Sequence, residues 1–180
     1  MMKSLVFLSL VSLLTMACGS TTVSAPSNLN NTPFPRVQGR ALNDTQVTLP
    51  DDYRGKPTLM LVGYLQKAQF DIDRWILGAL QADIKAQIVE VPTIAGMVPQ
   101  MVQGYIDSGM RSGIPKSDWG SVVTVYEDAP AIIKALGNER PNVARAVLLD
   151  KDGTIVWTSN SGYSATQILE LEQVVKSLQK

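Results

Sequence analysis

Residues 57–78 constrain the fold of this chain more than any other stretch. The run 58–64 is uncharged, largely apolar and of strand length, which is typical of an inner strand covered on both faces. A polar elbow follows at 66–69. The apolar residues after it recur at helical spacing, with Asp71 and Asp73 predicted at the N-cap or in the first turn. Strand, elbow and helix form half of a βαβ unit, so we expect ligand binding or chemistry at the elbow, beyond the end of the strand.

The rest of the chain alternates strand-like and helix-like stretches, which indicates one α/β domain. The predicted strands cover 35–41, 45–49, 58–64, 87–91, 121–126, 147–150 and 154–158, and the predicted helices cover 71–82, 98–108, 129–136 and 164–178. Strand, helix and strand across residues 58–91 imply a right-handed parallel crossover.

A methionine-rich apolar stripe lies on the predicted helix 98–108. Its members recur at helical spacing and are Met97, Val98, Met101, Val102, Tyr105, Ile106 and Met110. We predict that this stripe faces the core. The alternative is a partner or ligand face, since methionine adapts to irregular surfaces. The segment 109–120 is predicted to be a loop that presents Arg111 and Trp119 for binding.

Composition excludes several classes of function. The 180 residues include 16 basic and 16 acidic side chains without a basic run, which argues against a nucleic-acid partner. The chain has no histidine, so Ser-His-Asp triads, Cys-His dyads and histidine-bearing zinc sites are absent. No catalytic set, metal site or cofactor motif is recognisable by spacing, and we expect a protein that is not an enzyme.

The amino terminus has the pattern of a bacterial export signal. A short basic region precedes the apolar stretch 5–14, which is shorter than a membrane-spanning helix. Residues 15–18, ending in Cys18, resemble a lipobox, which implies cleavage before Cys18 and lipid attachment to it. Gly19 then implies transport to the outer membrane, with the domain facing the periplasm. We therefore expect a signal peptide at 1–17, a flexible tether at 18–33 and a single domain at 34–180.

Two further stretches carry a family resemblance. Residues 55–62, with Phe34-Pro35 and Gly39 upstream, resemble the opening of the thioredoxin-like fold as peroxiredoxins and TlpA-type proteins use it. Residues 143–156 resemble its closing hairpin. The resemblance implies a three-layer α/β/α sandwich, here with an N-terminal β-hairpin and a helical insertion. It places the redox cysteine of the family in the elbow, where residues 66–72 contain none.

The candidate binding residues follow from the elbow, the loop and the resemblance. They are Gln66, Gln69, Asp71, Arg111, Trp119 and Arg145. An arginine near the Arg145 position lines the active-site pocket of peroxiredoxins. A salt bridge at the strand edge is the structural alternative for Arg145. For the elbow residues, the structural alternative is a solvated surface that binds nothing.

These patterns lead to one expected function and one alternative. We expect a lipoprotein of the bacterial envelope, anchored in the membrane through Cys18, whose redox-inactive thioredoxin-like domain binds or assembles an envelope protein. Because Cys18 is the only cysteine, its lipidation would leave no thiol. The alternative is an oxidoreductase with a free Cys18, or a thiol-independent enzyme acting at 66–73 with Arg145.

Overall fold

The computed structural model describes residues 22–96, 98 and 100–179. The predicted signal peptide and the predicted lipid attachment at Cys18 lie outside the described residues. No helix within the described ranges is both long and apolar enough to cross a bilayer.

Seven strands and four α-helices make up the described domain. The strands are β1 (Val37–Ala41), β2 (Gln46–Leu49), β3 (Thr58–Gly63), β4 (Gln87–Pro92), β5 (Val123–Thr124), β6 (Arg145–Leu149) and β7 (Ile155–Ser159). The helices are α1 (Gln69–Gln81), α2 (Gln100–Gly113), α3 (Ala129–Leu136) and α4 (Ala165–Leu178). Short 3-10 turns occupy Asp51–Tyr53, Gln66–Ala68 and Lys116–Ser121. The mixed α/β class predicted from the sequence is confirmed.

The central sheet has the order β4-β3-β6-β7. Strand β3 pairs in parallel with β4 and antiparallel with β6, and all six of its residues are buried. This is the environment predicted for an uninterrupted apolar run. Because β3 and β4 are parallel while β6 runs the other way, the carboxyl end of β3 lies beside the beginning of β6.

Helices α1 and α4 cover one face of the central sheet. Trp75 of α1 is completely buried there and contacts two other rings edge-on, with ring centroids 5.9 Å from Trp157 and 5.8 Å from Tyr163. Ser164 caps α4 by accepting a hydrogen bond from the backbone N–H of Gln167. This packing places the beginning of α1 close to the beginning of β6 and the end of β7.

The other face is covered by a smaller sheet and α3. The smaller sheet has the order β2-β1-β5, and β1 and β2 form the predicted N-terminal hairpin. Val122 and Val125, which flank β5, form parallel bridges with Glu90 of β4 and with Thr93, which directly follows β4. Two layers of apolar side chains therefore enclose the central sheet, one on each face.

Helix α2 exists as predicted but presents a different face to the core. Met101 is 85% exposed, Tyr105 82% and Val102 42%, so the prediction that these three face the core is wrong. Among the residues 101–113 of α2, whose burial the structure describes, Asp107 is the buried one, and it accepts hydrogen bonds from Arg40 and Tyr126, both at 2.8 Å. The helix also continues to Gly113 through part of the predicted loop. A polar network therefore holds α2 against the smaller sheet.

The N-terminal segment, residues 22–34, lies against the domain. Leu29 is buried, and the backbone of 31–32 pairs with Ile155 through two hydrogen bonds of 2.8 Å. Nearer the amino terminus, Val23 exchanges hydrogen bonds with Asn138. This packing differs from the free tether expected for 18–33, because the edge of β7 supplies backbone partners that composition does not reveal. The domain boundaries themselves remain predictions.

Candidate functional site

The elbow follows the carboxyl end of β3, where the sequence places it. A single 3-10 turn, Gln66–Ala68, leads into α1. The side chain of Gln66 is exposed and makes no described hydrogen bond, whereas its carbonyl accepts the backbone N–H of Gln69. The side-chain amide of Gln69 donates to Asp73 at 3.0 Å and to Glu90 of β4 at 3.2 Å. These contacts hold Gln69 against the β4 side of the elbow.

The surroundings of Glu90, beside the elbow, shift the protonation equilibrium of its side-chain carboxyl group. Burial raises its pKa, and the hydrogen bond from Gln69 opposes that rise without cancelling it. The nearby carboxylates of Asp73 and Asp118 add to the increase. The group has an amide partner but no described cation within salt-bridge distance, so its local environment favours the protonated form more than water does.

Asp71 lies in the first turn of α1, as predicted, and is only 2% exposed. Its two oxygens accept the backbone N–H groups of Ala144 at 3.0 Å and Tyr163 at 2.9 Å. Arg74 approaches one of these oxygens at 3.3 Å. The Asp71 carboxylate thus binds two distant parts of the backbone and is not available to bind a ligand.

Two large apolar side chains project from the elbow into solvent. Leu65 is 52% exposed and Phe70, in the first turn of α1, is 75% exposed. Sequence reasoning missed both, because Phe70 fits a helical apolar pattern and Leu65 continues the apolar run of β3. The elbow therefore presents amides and apolar side chains, with no thiol to attack a substrate or exchange electrons.

Arg111 and Trp119 lie together at a second location. Arg111 donates to the carbonyl of Leu42 at 2.6 Å and to Asp44 at 2.7 Å, and its guanidinium lies 5.7 Å from the centre of the Trp119 ring. The indole N–H of Trp119 donates to the carbonyl of Ile114 at 3.0 Å. These contacts fasten α2 and the following turn to the β1–β2 hairpin, a structural role for both residues.

Arg145 begins β6 and lies at a third location. It is 6% exposed and donates through Nη2 to Glu139 at 3.1 Å. Burial raises the pKa of Glu139, but hydrogen bonds from its own N–H and that of Ala25, together with Arg145, outweigh burial and lower that pKa overall. Arg145 lines an open cavity of about 390 Å³ at the end of β7. No pattern in the sequence identified Glu139 as the partner of Arg145.

The predicted binding residues are therefore distributed over three places. Gln66, Gln69 and Asp71 share the elbow, Arg111 and Trp119 contact each other, and Arg145 stands apart in the cavity. None of the residues lining that cavity comes from the elbow. Within the described ranges, no cluster of three or more Cys, Asp or Glu side chains is arranged to hold a metal ion.

No protein-family model and no curated protein sequence matches this chain. Solved structures do match it. The thiol peroxidase from Chromobacterium violaceum superposes with a TM-score of 0.58 at 9% identity, covering 87% of this chain and 92% of its own. A SCO1/SenC family lipoprotein from Bacillus anthracis superposes with a TM-score of 0.57 at 12% identity, covering 83% and 96%.

A third structure is that of BsSco, described as a member of the Sco family of cytochrome c oxidase assembly proteins with a disulfide switch. It superposes with a TM-score of 0.58 at 12% identity, covering 87% of this chain and 99% of its own. Identities this low establish the shared fold and nothing finer. The chain therefore has the thioredoxin-like fold predicted from residues 55–62 and 143–156, with no cysteine in its elbow.

Proposed function

We propose that this chain is a lipoprotein of the bacterial envelope whose redox-inactive thioredoxin-like domain binds a protein partner at the elbow. One observation carries the proposal: the elbow has no thiol and exposes Leu65 and Phe70. Exposed apolar side chains at a position the fold reserves for function favour a docking surface over a reaction centre.

The energetics of the elbow support a protein partner. Full burial of a phenylalanine or leucine side chain contributes roughly 1.5–3 kcal/mol, and Phe70 and Leu65 are available for that gain. Aromatic side chains of this kind are common at the centre of protein interfaces. The amide of Gln66, exposed beside them, supplies hydrogen-bonding capacity at the rim.

The proposed anchor is a lipid at Cys18. Each buried methylene contributes about 0.8 kcal/mol, and several acyl chains together give stable attachment. Val23, which is already hydrogen-bonded to the domain, follows Cys18 by five positions. An extended chain reaches at most about 3.5 Å per residue, so the domain would be held within about 17 Å of the lipidated residue. We infer a domain held close to the outer membrane, facing the periplasm.

Two of the structural neighbours support this combination of roles. One is described as a lipoprotein and one as a member of a family of assembly proteins. The fold therefore occurs in proteins of both kinds. In the present chain the binding role rests on the thiol-free elbow, and the anchoring role rests on the sequence around Cys18.

Site-specific photo-crosslinking tests the binding role. A photoreactive amino acid at position 70 of the full chain should crosslink one envelope protein in cells. The same photoreactive residue at position 169 is the matched control, because Leu169, like Phe70, is a large apolar side chain exposed on a helix, at 58% exposure. The variant Phe70→Ala should weaken co-purification of that protein about tenfold, whereas Leu169→Ala should not. Equal crosslinking from both positions would contradict docking at the elbow.

Mass spectrometry of the mature chain tests the anchor separately. We expect an amino-terminal Cys18 carrying a diacylglyceryl group and an amide-linked acyl chain. The variant Cys18→Ser should stay unprocessed and should carry no lipid. An unmodified thiol at Cys18 in the wild-type protein would contradict the lipoprotein proposal and leave the crosslinking result intact.

A further inference from the structure

The N-terminal segment runs along the edge of β7 in a defined direction. The backbone N–H of Phe34 donates to the carbonyl of Gly153 at 3.1 Å, in the turn before β7. Traced towards the amino terminus, residues 31–32 pair with the first residue of β7. Residues within 25–29 then line the same cavity as residues 158–161, at the end of that strand. The segment therefore leaves the domain where β7 ends.

The end of β7 lies at the same edge of the central sheet as the elbow. Strand β6 is antiparallel to both β3 and β7, so its beginning lies beside the carboxyl ends of both. Val62 of β3 is opposite Arg145 of β6, and Ser159 of β7 is opposite Ala146. Leu65 follows Val62 by three positions. The topology thus brings the elbow and the outgoing N-terminal segment to one edge.

A chain of contacts joins the elbow to the N-terminal segment across this edge. Asp71, in the first turn of α1, accepts the backbone N–H of Ala144 at 3.0 Å. Arg145, the next residue, donates to Glu139 at 3.1 Å. The other carboxylate oxygen of Glu139 accepts the backbone N–H of Ala25 at 3.2 Å. Because Asp71 and Arg145 are both buried, these contacts fix the position of the elbow relative to the segment.

The proposed lipid anchor is attached at this edge. Val23 donates its backbone N–H to the side chain of Asn138 at 2.7 Å and accepts the backbone N–H of Asn138 at 2.8 Å. Five positions separate Val23 from Cys18, a reach of at most about 17 Å at roughly 3.5 Å per residue. With Cys18 lipidated, the elbow edge faces the bilayer. The opposite edge, with Lys151 in the turn between β6 and β7, faces away.

This spacing restricts what can reach the elbow. A compact domain of about 100 residues has a radius of gyration of about 13 Å and a diameter of roughly 30 Å, which exceeds the gap of about 17 Å. A single helix with its side chains is only about 10–12 Å across. A segment that emerges from the same bilayer therefore fits beside Leu65 and Phe70, whereas a whole soluble domain does not.

We propose that the partner of the elbow is a protein embedded in the same membrane, bound through a segment that lies within about 17 Å of the bilayer surface. This inference rests on the proposed docking at the elbow and on the proposed anchor, and it adds the class and position of the partner. Leu65 and Phe70 contact that protein segment and not the lipid itself.

Energy transfer from the elbow to the bilayer tests the geometry. Cys18 is the only cysteine, so after its lipidation an introduced cysteine is the sole free thiol. Full lipidated chains with Gln66→Cys or Lys151→Cys, both exposed positions, carry a donor dye. They are placed on vesicles of phosphatidylethanolamine and phosphatidylglycerol with acceptors on the headgroups. We expect the dye at position 66 to lie roughly 15–20 Å closer to the acceptors, since strands rise about 3.3 Å per residue.

Iodide, a water-soluble quencher, distinguishes a segment-binding elbow from one inserted in lipid. On the same protein-free vesicles, iodide should quench the dye at position 66 as it does in detergent. Equal energy transfer from positions 66 and 151 overturns the proposal. Exclusion of iodide from position 66 also overturns it, because the bilayer itself would then cover the elbow.

Crosslinking in cells from a photoreactive residue at position 70 identifies the partner segment. Mass spectrometry should place the crosslinked peptide within about ten residues of a membrane-spanning element, the number that covers 17 Å in a helix or a strand. Thirty Gly and Ser residues inserted between Ser20 and Thr21 add a root-mean-square length of about 30 Å. The yield of that peptide should then fall at least threefold, because a longer tether lowers the effective concentration at the bilayer.

The outcomes separate this inference from the proposed docking. A crosslink to a soluble periplasmic protein, or a yield that the insertion leaves unchanged, overturns the inference and leaves docking at the elbow standing. A crosslink at position 70 no stronger than at position 169 overturns the docking itself. An unlipidated Cys18 overturns the inference and the anchor together, without bearing on the docking.

Discussion

Oδ2 of Asp71 accepts the backbone N–H of Ala144 at 3.0 Å, across 73 positions of sequence. Its other oxygen accepts the N–H of Tyr163 at 2.9 Å. One buried carboxylate at the beginning of α1 therefore fixes both the chain that enters β6 and the chain that leaves β7. The elbow, the start of β6 and the end of β7 are held as one unit.

Replacing Asp71 by alanine should destabilise the domain strongly. The change leaves the buried N–H of Ala144 and the partly buried N–H of Tyr163 without an acceptor. At about 1–3 kcal/mol for each lost acceptor, partly offset by the removal of a buried charge, we expect a loss of about 2–4 kcal/mol in the free energy of unfolding. Urea unfolding followed by circular dichroism measures it.

Asp73→Ala is the matched control for this prediction. Asp73 lies on the same helix but is exposed, and its described partner is the side chain of Gln69. Its replacement should cost less than about 0.5 kcal/mol. Similar losses for the two variants would show that Asp71 acts only through the helix dipole and not through Ala144 and Tyr163.

Much of the fold could be predicted because the hydrophobic pattern of the sequence matches the burial of the same residues in the structure. The run that forms β3 is buried on both faces, as an uninterrupted apolar stretch predicts. The helical spacing of α2 was equally clear, yet its buried side is anchored by Asp107 while Met101 faces solvent. Periodicity identifies a helix, but which side packs inward depends on partners such as Arg40 that are distant in sequence.

The candidate site was less predictable for the same reason. The sequence indicates only that the charge of Asp71 suits the helix dipole. The tertiary structure is needed to show its two backbone partners. Composition indicated a flexible tether, yet the free edge of β7 pairs with residues 31–32. Hydrogen bonds between backbone groups leave little trace in side-chain patterns. The cavity at Arg145 likewise depends on five segments, at 25–29, 139, 145, 158–161 and 167, that no local motif connects.

The stability of the domain should fall steeply at alkaline pH. Burial raises the pKa of Tyr64, and burial together with the hydrogen bond to Asp107 raises the pKa of Tyr126. A raised pKa means that the folded state holds the proton more tightly. The stabilisation is therefore complete below about pH 10, the ordinary tyrosine value, and is lost as pH rises above it. Each such tyrosine contributes a slope of up to about 1.4 kcal/mol per pH unit.

Tyr126→Phe separates this effect from general alkaline unfolding. Free energies of unfolding measured between pH 8 and pH 11.5 should fall less steeply for the variant than for the wild type. Tyr105→Phe is the control, because Tyr105 is 82% exposed and should not change the slope. An identical slope in all three proteins would contradict a titrating role for Tyr126.

The elbow should accept thiol chemistry when cysteines are supplied. Gln66 and Gln69 are separated by two residues, the spacing of a Cys-x-x-Cys motif, at the junction of a 3-10 turn and α1. We expect the double variant Gln66→Cys, Gln69→Cys to form an internal disulfide under mild oxidation. Alkylation followed by mass spectrometry should detect the loss of two reactive thiols, while the wild-type chain should not reduce insulin disulfides.

A second double variant controls for geometry. Gln81→Cys with Lys85→Cys places two exposed cysteines around the end of α1, where the chain turns after the helix. We expect this pair to oxidise more slowly than the elbow pair. Disulfide reductase activity in the unmodified protein would contradict the proposal that this domain, whose elbow contains no cysteine, is redox-inactive.

The N-terminal segment should detach when a methyl group is placed on Gly137. Gly137 has a φ of +72°, and a Cβ atom there would overlap the backbone N of Ala25 and a carboxylate oxygen of Glu139. In Gly137→Ala we expect faster hydrogen exchange at the amides of Val23 and Ala25, because their hydrogen bonds to Asn138 and Glu139 are displaced. We also expect a loss of about 2–4 kcal/mol in the free energy of unfolding, from backbone strain and overpacking together.

Gly55→Ala distinguishes the two contributions. Gly55 also has a positive φ, +93°, but nothing lies within 4 Å of the position its Cβ would take. Its replacement therefore measures backbone strain alone, about 1 kcal/mol or slightly more, and should leave exchange at Val23 and Ala25 unchanged. If both variants lose the same stability and keep the same exchange rates, the N-terminal segment does not pack through Gly137, and its contact with the domain is weaker than the hydrogen bonds to Asn138 and Glu139 imply.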